Sequence, residues 1–203
     1  MSNDQVNVSR RRFLAASTAA VGAAGAVGVL VPFVGSWQPS AKAKAAGASV
    51  KQDISKIQPG EMITVEWRGQ PVYIVNRTQE AMDNIAKQND AVRDPDSNES
   101  NQPDYAKNLI RSHEQHAKYL ILVGLCTHLG CAPKDRFQPK VDPATGSLDE
   151  NWLGGFFCPC HGSKFDLAGR VFKGVPAPTN LVVPPFRFES DSIVVIGEDG
   201  GAA

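Results

Sequence analysis

The chain has 203 residues, with 21 basic and 21 acidic side chains and a formal net charge of zero. That length allows one compact domain plus something extra, and zero net charge argues against a general nucleic-acid binder, so no nucleic acid is expected as a partner. The charge is uneven, however. Residues 1–44 hold five basic residues (Arg10, Arg11, Arg12, Lys42, Lys44) and one acid, Asp4, which leaves 16 basic and 20 acidic residues in 45–203. A basic leader precedes a mildly acidic globule.

The leader carries "SRRRFL" at 9–14, an arginine pair followed by Phe13 and Leu14, which is the twin-arginine export pattern. From Arg12 to Lys42 runs an uncharged stretch of 29 residues; about 20 apolar residues suffice to cross a bilayer core as a helix. Trp37 sits where an interfacial aromatic belongs. Ala20, Ala24 and Gly28, four apart, would let another helix approach closely. "SAKAKA" (40–45) offers A-x-A sites for a signal peptidase, but the run exceeds the usual apolar core of about 7–15 residues in a signal peptide. The expected layout is a cytoplasmic leader at 1–12 and a retained transmembrane helix at 13–37. Lys42, Lys44 and Lys51 balance the three arginines, so loop charge does not set the orientation. The export signal does: the N-terminus is expected in the cytoplasm of a bacterial cell, the anchor in its inner membrane and the rest in the periplasm, where disulfides persist. Because this pathway moves folded proteins, the exported part is expected to be folded and metal-loaded beforehand.

Residues 38–50, "QPSAKAKAAGASV", have no apolar face and read as a flexible hinge, with an extension of the membrane helix as the alternative. From residue 60 the pattern is β. "MITVEW" (62–67) and "PVYIV" (71–75), split by Arg68-Gly69-Gln70, predict a hairpin. Residues 78–91 predict a helix, with Thr78 as cap and Glu80 in the first turn, and 93–104 an exposed loop with Pro95 and Pro103. "YLILVGL" (119–125) predicts a buried strand running into Cys126, and "LGGFF" (153–157) one running into Cys158. "LVVPPFRFES" (181–190) and "SIVVIG" (192–197) predict a terminal β pair, and "EDGGAA" a frayed tail. His113 and His116, three apart with no carboxylate or cysteine placed to join them, read as a solvated face rather than a metal pair. Asp149 and Glu150 read as a surface turn.

Only four cysteines are present, in "CTHLGC" (126–131) and "CPCHGS" (158–163), each with a histidine. A thioredoxin-like motif needs two residues between its cysteines, and "CPC" has one. Three readings remain at this point. Structural zinc takes four Cys or His ligands and leaves two of the six residues unused. Two disulfides leave both histidines idle. A Rieske-type 2Fe–2S centre, where two histidines replace two cysteines on one iron, gives all six work.

The two boxes resemble the cluster-binding boxes of the Rieske iron–sulfur subunits of bacterial cytochrome bc1 complexes, the ubiquinol–cytochrome c reductases. "GVPAP" (174–178) is similar to that family's proline loop, and the leader, anchor and Ala-rich hinge are similar as well, so the resemblance covers essentially the whole chain. It implies a mainly antiparallel β fold: a Rieske-type domain at 51–203 with a small cluster-binding subdomain (loops 126–131 and 158–163, proline loop 174–178) and a helical insertion, behind a single N-terminal transmembrane helix. It implies one 2Fe–2S cluster, with Cys126 and Cys158 on one iron and His128 and His161 on the other, and a disulfide between Cys131 and Cys160. His161 matches the exposed, catalytic ligand that meets quinol. Ser163 matches a hydroxyl donating to a cluster sulfide. Phe165 departs from the tyrosine that many members have there. Leu129, Gly174, Pro176 and Pro178 match residues that shield the cluster; outside the resemblance, Leu129 would be a core leucine.

The implied role is a catalytic subunit that takes an electron and a proton from ubiquinol at cytochrome b, then swings on the hinge to cytochrome c1. The implied partners are those two subunits, ubiquinol, the lipid bilayer and a second copy of the complex in a dimer. The runner-up is the Rieske subunit of a periplasmic molybdenum oxidase of the arsenite oxidase type; the insertion at 78–117 and the hinge favour the quinol enzyme. A zinc-stabilised, membrane-tethered binding module is the non-enzymatic reading.

Overall fold

The computed structural model describes residues 7–200, and all side chains among them except those at 42, 45 and 46. The first six residues of the leader and the last three of the tail lie outside the described residues. The chain divides into two units, residues 1–45 and 46–203.

The first unit is dominated by α1, Val8–Gly35, 28 residues or about 42 Å at 1.5 Å per residue. It is long and apolar enough to cross a membrane. It begins earlier than the expected 13–37 because the Asn7 side chain caps it, accepting from Arg10 N at 3.1 Å, and arginine is a good helix former. None of its residues is buried by protein, so Val21, Val29, Val31 and Phe33 present apolar surface to their surroundings. An uncovered apolar helix of this length suits a bilayer rather than water. The expected hinge contains a short helix, α2 (Ala41–Ala46), with Ser40 Oγ accepting from Ala43 N at 3.1 Å. The stretch is thus not irregular throughout, as alanine's helix propensity would have it.

The second unit holds three three-stranded antiparallel sheets. In the first, β2 (Met62–Trp67), β3 (Gln70–Asn76) and β4 (Tyr119–Val123) lie in chain order. Trp67 pairs with Gln70, and Arg68 and Gly69 both take positive φ, 53° and 71°. That two-residue turn matches the twist of the hairpin. All five residues of β4 are buried, which is why "YLILV" is apolar without alternation. In the second sheet, β9 (Ile193–Ile196) lies between β8 (Phe186–Ser190) and β1 (Val50–Asp53). β1 falls partly within the expected hinge; "VKQD" has one apolar residue and gives no strand signal. β8 begins only at Phe186, since Pro184-Pro185 cannot join a ladder. The third sheet, β5 (Lys134–Arg136), β6 (Gly155–Phe157) and β7 (Lys164–Asp166), has three residues per strand and carries both cysteine boxes at its margin.

One core joins these sheets. Val72, Ile74, Leu120, Leu122, Phe186 and Ile196 are in it, and so are Phe156, Phe165, Cys126 and Cys158. The cysteines therefore grow out of packed core, not out of a mobile surface.

The insertion begins with α3 (Gln79–Lys87), capped by Thr78 Oγ1, which accepts from Ala81 N at 3.1 Å. The helix ends at Lys87, four residues short of expectation, and the chain between it and β4 is mostly irregular. Buried polar contacts hold this segment. Arg77 donates to Leu167 O (3.1 Å) and Ile110 O (2.9 Å). Arg111 donates to Ala168 O (3.2 Å), and fully buried Arg170 pairs with Asp166 at 2.7 Å. Burial pushes the Arg111 guanidinium down to about 10, with Asp166 and Asp94 opposing it. The carbonyls of the turn after β7 thus accept from Arg77, just before the insertion, and from Arg111 within it.

His113 and His116 correct the expectation of a solvated face. Both are half-buried. The His113 ring stacks on Tyr105 with centroids 3.8 Å apart, and His116 stacks on Phe188 at 3.9 Å. The His113 Nε2 lies 3.0 Å from Phe186 O. They are packing residues that fasten the insertion to β8.

Candidate metal centre

The two cysteine boxes are hexapeptides with the same backbone hydrogen bonds. In the first, Cys126 N donates to Cys131 O (2.8 Å) and Gly130 N to Cys126 O (2.8 Å); in the second, Cys158 N donates to Ser163 O (2.8 Å) and Gly162 N to Cys158 O (2.9 Å). The fifth residue of each is a glycine with left-handed backbone, φ 79° at Gly130 and 78° at Gly162, a conformation that a side chain would strain. Each hexapeptide therefore closes on itself and turns its side chains toward the other. The first is seated by Gly124, where a Cβ would come 2.5 Å from the Tyr73 ring, while Tyr73 Oη donates to Pro133 O at 2.8 Å.

Cys126 and Cys158 are free and buried. Burial pushes the Cys126 thiol pKa up, and neighbouring Cys158 adds to this; the His128 backbone N–H and the Ser163 hydroxyl pull it down by hydrogen bonding. His128 is half-buried and His161 exposed, and their rings meet edge to face with centroids 4.8 Å apart. Cys131 and Cys160 form a disulfide, Cα to Cα 6.6 Å, tying the hexapeptides together.

Residues 174–179 close over this pair at two points. Ala177 N donates to Ser163 Oγ (3.1 Å), and Thr127 Oγ1 donates to Thr179 O (2.7 Å). Ser163 is fully buried; with an N–H on its lone pair, its own proton is free to point at sulfur. Ala177 is buried while Gly174, Pro176 and Pro178 are exposed, so the loop puts its alanine inward. Phe165 is fully buried in β7, opposite Phe156. Leu129 is 70% exposed, which removes the reading as a core leucine. Gly124, Tyr73, Thr127 and Asn180 also shape the site. None of them sits in a motif; only the equal spacing of glycine in the two boxes was there to be read.

The disulfide excludes zinc held by four thiols and, because neither Cys126 nor Cys158 is bridged, it also excludes the reading of two disulfides. The sulfurs of Cys131, Cys158 and Cys160 lie within 4.8 Å of one another, but only Cys158 among them keeps a thiol. What remains is one free thiol and one imidazole from each hexapeptide, with hydrogen-bond donors already directed at the Cys126 sulfur. That donor set fits a 2Fe–2S group of the Rieske type, two thiolates and two imidazoles, and the donors favour the thiolate that iron needs.

Comparison with known proteins agrees. A family model described as the Rieske [2Fe-2S] domain matches residues 49–187, and one described as the ubiquinol–cytochrome c reductase Fe–S subunit TAT signal matches residues 1–40. The ubiquinol–cytochrome c reductase iron–sulfur subunit of Allochromatium vinosum is 51% identical over all of this chain and 95% of its own length. That of Rhodospirillum rubrum is 44% identical over 93% of this chain and 92% of its own. Among solved structures, a chain of a hyperthermophilic respiratory Complex III is 28% identical, covering 89% of this chain and 99% of that one, with a TM-score of 0.46. The molybdenum-oxidase reading is not favoured, because these whole-length relatives carry the quinol enzyme's name. The chain belongs to the Rieske [2Fe–2S] family and, from its export signal to its cluster domain, to the bacterial ubiquinol–cytochrome c reductase iron–sulfur subunits.

Proposed function

We propose that this chain is the electron-transfer subunit of a bacterial cytochrome bc1 complex, acting on ubiquinol with cytochrome b and passing its electron to cytochrome c1. One observation carries this: two hexapeptides of equal backbone geometry present a buried thiol and an imidazole each, and only one imidazole, His161, is exposed. Cys126 and Cys158 would hold one iron of the 2Fe–2S group, and His128 and His161 the other. When bound, the group supplies a one-electron carrier of high potential, because two neutral imidazoles in place of two thiolates make it less negative.

The residues of the chain do the rest. Exposed His161 accepts a hydrogen bond from the quinol hydroxyl and then holds its proton, while half-buried His128 does not meet substrate. Leu129, Pro176 and Pro178 exclude water around the contact. The Ser163 hydroxyl, fixed by Ala177, stabilises added negative charge on sulfur. The quinol site is completed by cytochrome b, so the catalytic contribution of this chain is His161 and its surroundings. The helix α1 anchors the chain in the inner membrane with the N-terminus in the cytoplasm and the cluster domain in the periplasm, in a complex that is a dimer. The domain boundaries in this reading are leader 1–12, membrane helix 13–37, hinge 38–50 and cluster domain 51–203.

The domain reaches cytochrome c1 by moving on the hinge. The test is ubiquinol-dependent cytochrome c reduction in membranes whose only copy of the chain carries Ala43→Pro and Lys44→Pro. Turnover is expected to fall severalfold while the Rieske spectrum stays unchanged; full turnover would contradict the movement.

A further inference from the structure

The loop over the two hexapeptides is itself held from behind by the insertion. We propose that Asp94 and Asn180 are positioning residues: the pair sets how closely the 174–178 loop covers the cysteine–histidine loops, and so the surroundings in which His161 and Ser163 work. The inference rests on the reading of those loops as the cluster site.

Asn180 lies two residues beyond the loop and is fully buried. Its Oδ1 accepts from Val171 N at 2.8 Å, so the side chain ties the two ends of the 171–180 segment to each other. Its Nδ2 donates to Asp94 O (2.9 Å) and Ser97 Oγ (3.2 Å), and lies 3.5 Å from Asp94 Oδ2. Its backbone N–H donates to Ser100 Oγ (3.2 Å), which donates in turn to Asp94 Oδ2 (2.6 Å). The Asp94 carboxylate also collects Asn98 N at 2.8 Å and Glu99 N at 3.1 Å. Every polar atom of the Asn180 side chain is therefore used, and each partner fixes a direction.

Two further observations show that this corner specifies position. Ser97 is a buried serine in left-handed backbone, φ 55°. Such a conformation is strained and persists only where its neighbours over-determine it. Here Ser97 O accepts from Gln102 Nε2 at 2.6 Å while its Oγ meets Asn180. Second, the segment that Asn180 closes carries both ties to the cysteine boxes, Ala177 N to Ser163 Oγ and Thr179 O from Thr127 Oγ1. An apolar pair could bury the same corner but would fix no register. By contrast, the Arg170–Asp166 pair holds the turn after β7, not the loop.

The experiment uses the full chain in its membranes. Asn180→Ala, Asp94→Ala and the reciprocal exchange Asp94→Asn with Asn180→Asp are compared by amide exchange of peptides covering 171–180 and by EPR-monitored redox titration. With Asn180→Ala the Ala177 amide is expected to exchange about tenfold faster, the order expected for one or two lost hydrogen bonds. The midpoint potential is expected to fall as the Ser163 hydroxyl loses the Ala177 tie that fixes it, with the Rieske spectrum retained and the β4 amides still protected. The reciprocal exchange should not recover either effect, because a carboxylate at 180 has no proton to donate to Asp94 O. Unchanged exchange and potential in a cluster-bearing Asn180→Ala protein would overturn the proposal, as would equal loss of protection in β4, which marks general destabilisation. If Asn180→Ala does not accumulate, Ser97→Ala removes one hydrogen bond from Asn180 and should shift both readouts in the same direction by less; no shift there would also overturn it. Failure of the cluster reading is distinguishable, since the unaltered protein would then give no Rieske signal at all.

Discussion

The two cysteine boxes are alike in backbone and unlike in setting. Each closes with the same pair of hydrogen bonds and a left-handed glycine. The first box, however, ends in a half-buried bridging cysteine and presents exposed Leu129 at its tip, while the second ends in fully buried Ser163 and presents exposed His161. The first is seated against Tyr73 through Gly124. The second leads into β7, whose exit turn is held by Asp166, Arg170, Arg77 and Arg111. The lesson is that a repeated backbone supplies equivalent donors, and the surroundings make them inequivalent. One imidazole, His128, is half-buried, and the other, His161, is exposed.

The largest effect should come from removing a shared donor. Cys126→Ser or Cys158→Ser is expected to abolish cluster binding, with iron and acid-labile sulfide at background in purified protein. Retention of iron by either variant would break the equivalence of the two boxes. Next in size, Arg170→Met leaves Asp166 as an unpaired buried charge and should cost about 3–5 kcal/mol of stability. Thermal unfolding should show it, against Lys51→Ala, which removes only an exposed pair with Glu189. An equal effect of the two would mean that the exit of the second box is not specially held.

The disulfide comes next. Replacing both Cys131 and Cys160 by serine is expected to cost about 2–4 kcal/mol, measured in denaturant, and to lower cluster retention because nothing then ties the boxes together. Smaller still, Phe165→Tyr adds a donor in the core that also holds Cys126 and Cys158. A hydrogen bond to a charged group contributes roughly 1.5–3 kcal/mol, and at 59 mV per tenfold even 1.4 kcal/mol is about 60 mV. The midpoint should rise; an unchanged or lower value would show that the phenyl ring only packs. Smallest of all, Leu129→Ala at an exposed tip should change stability by about 0.5 kcal/mol or less while lowering quinol-dependent turnover. A larger loss of stability would mean that the leucine packs against the domain.

How much of this was legible depends on how the signals are carried. The anchor was legible because a bilayer demands a long uncharged run, and β4 because burial on both faces demands unbroken apolarity. The paired boxes were legible because metal chemistry restricts donors to a few residue types at short spacing. β1, β5 and β7 were not: with three or four residues, and with "KDR" or "VKQD" for sequence, they are strands only because a neighbour pairs with them. His113 and His116 misled because spacing alone does not reveal the rings of Tyr105 and Phe188 stacked on them. Asn180 left no signal either, since Asp94 and Ser97 stand more than 80 positions away in the chain.

The central claim, that the two boxes hold a high-potential Rieske cluster, is tested most directly by low-temperature EPR on membranes containing this chain, reduced first with ascorbate and then with dithionite. A Rieske signal already present with ascorbate is the predicted result. A signal appearing only with dithionite would contradict the quinol-oxidising role, and no signal from iron-loaded protein would contradict the cluster itself.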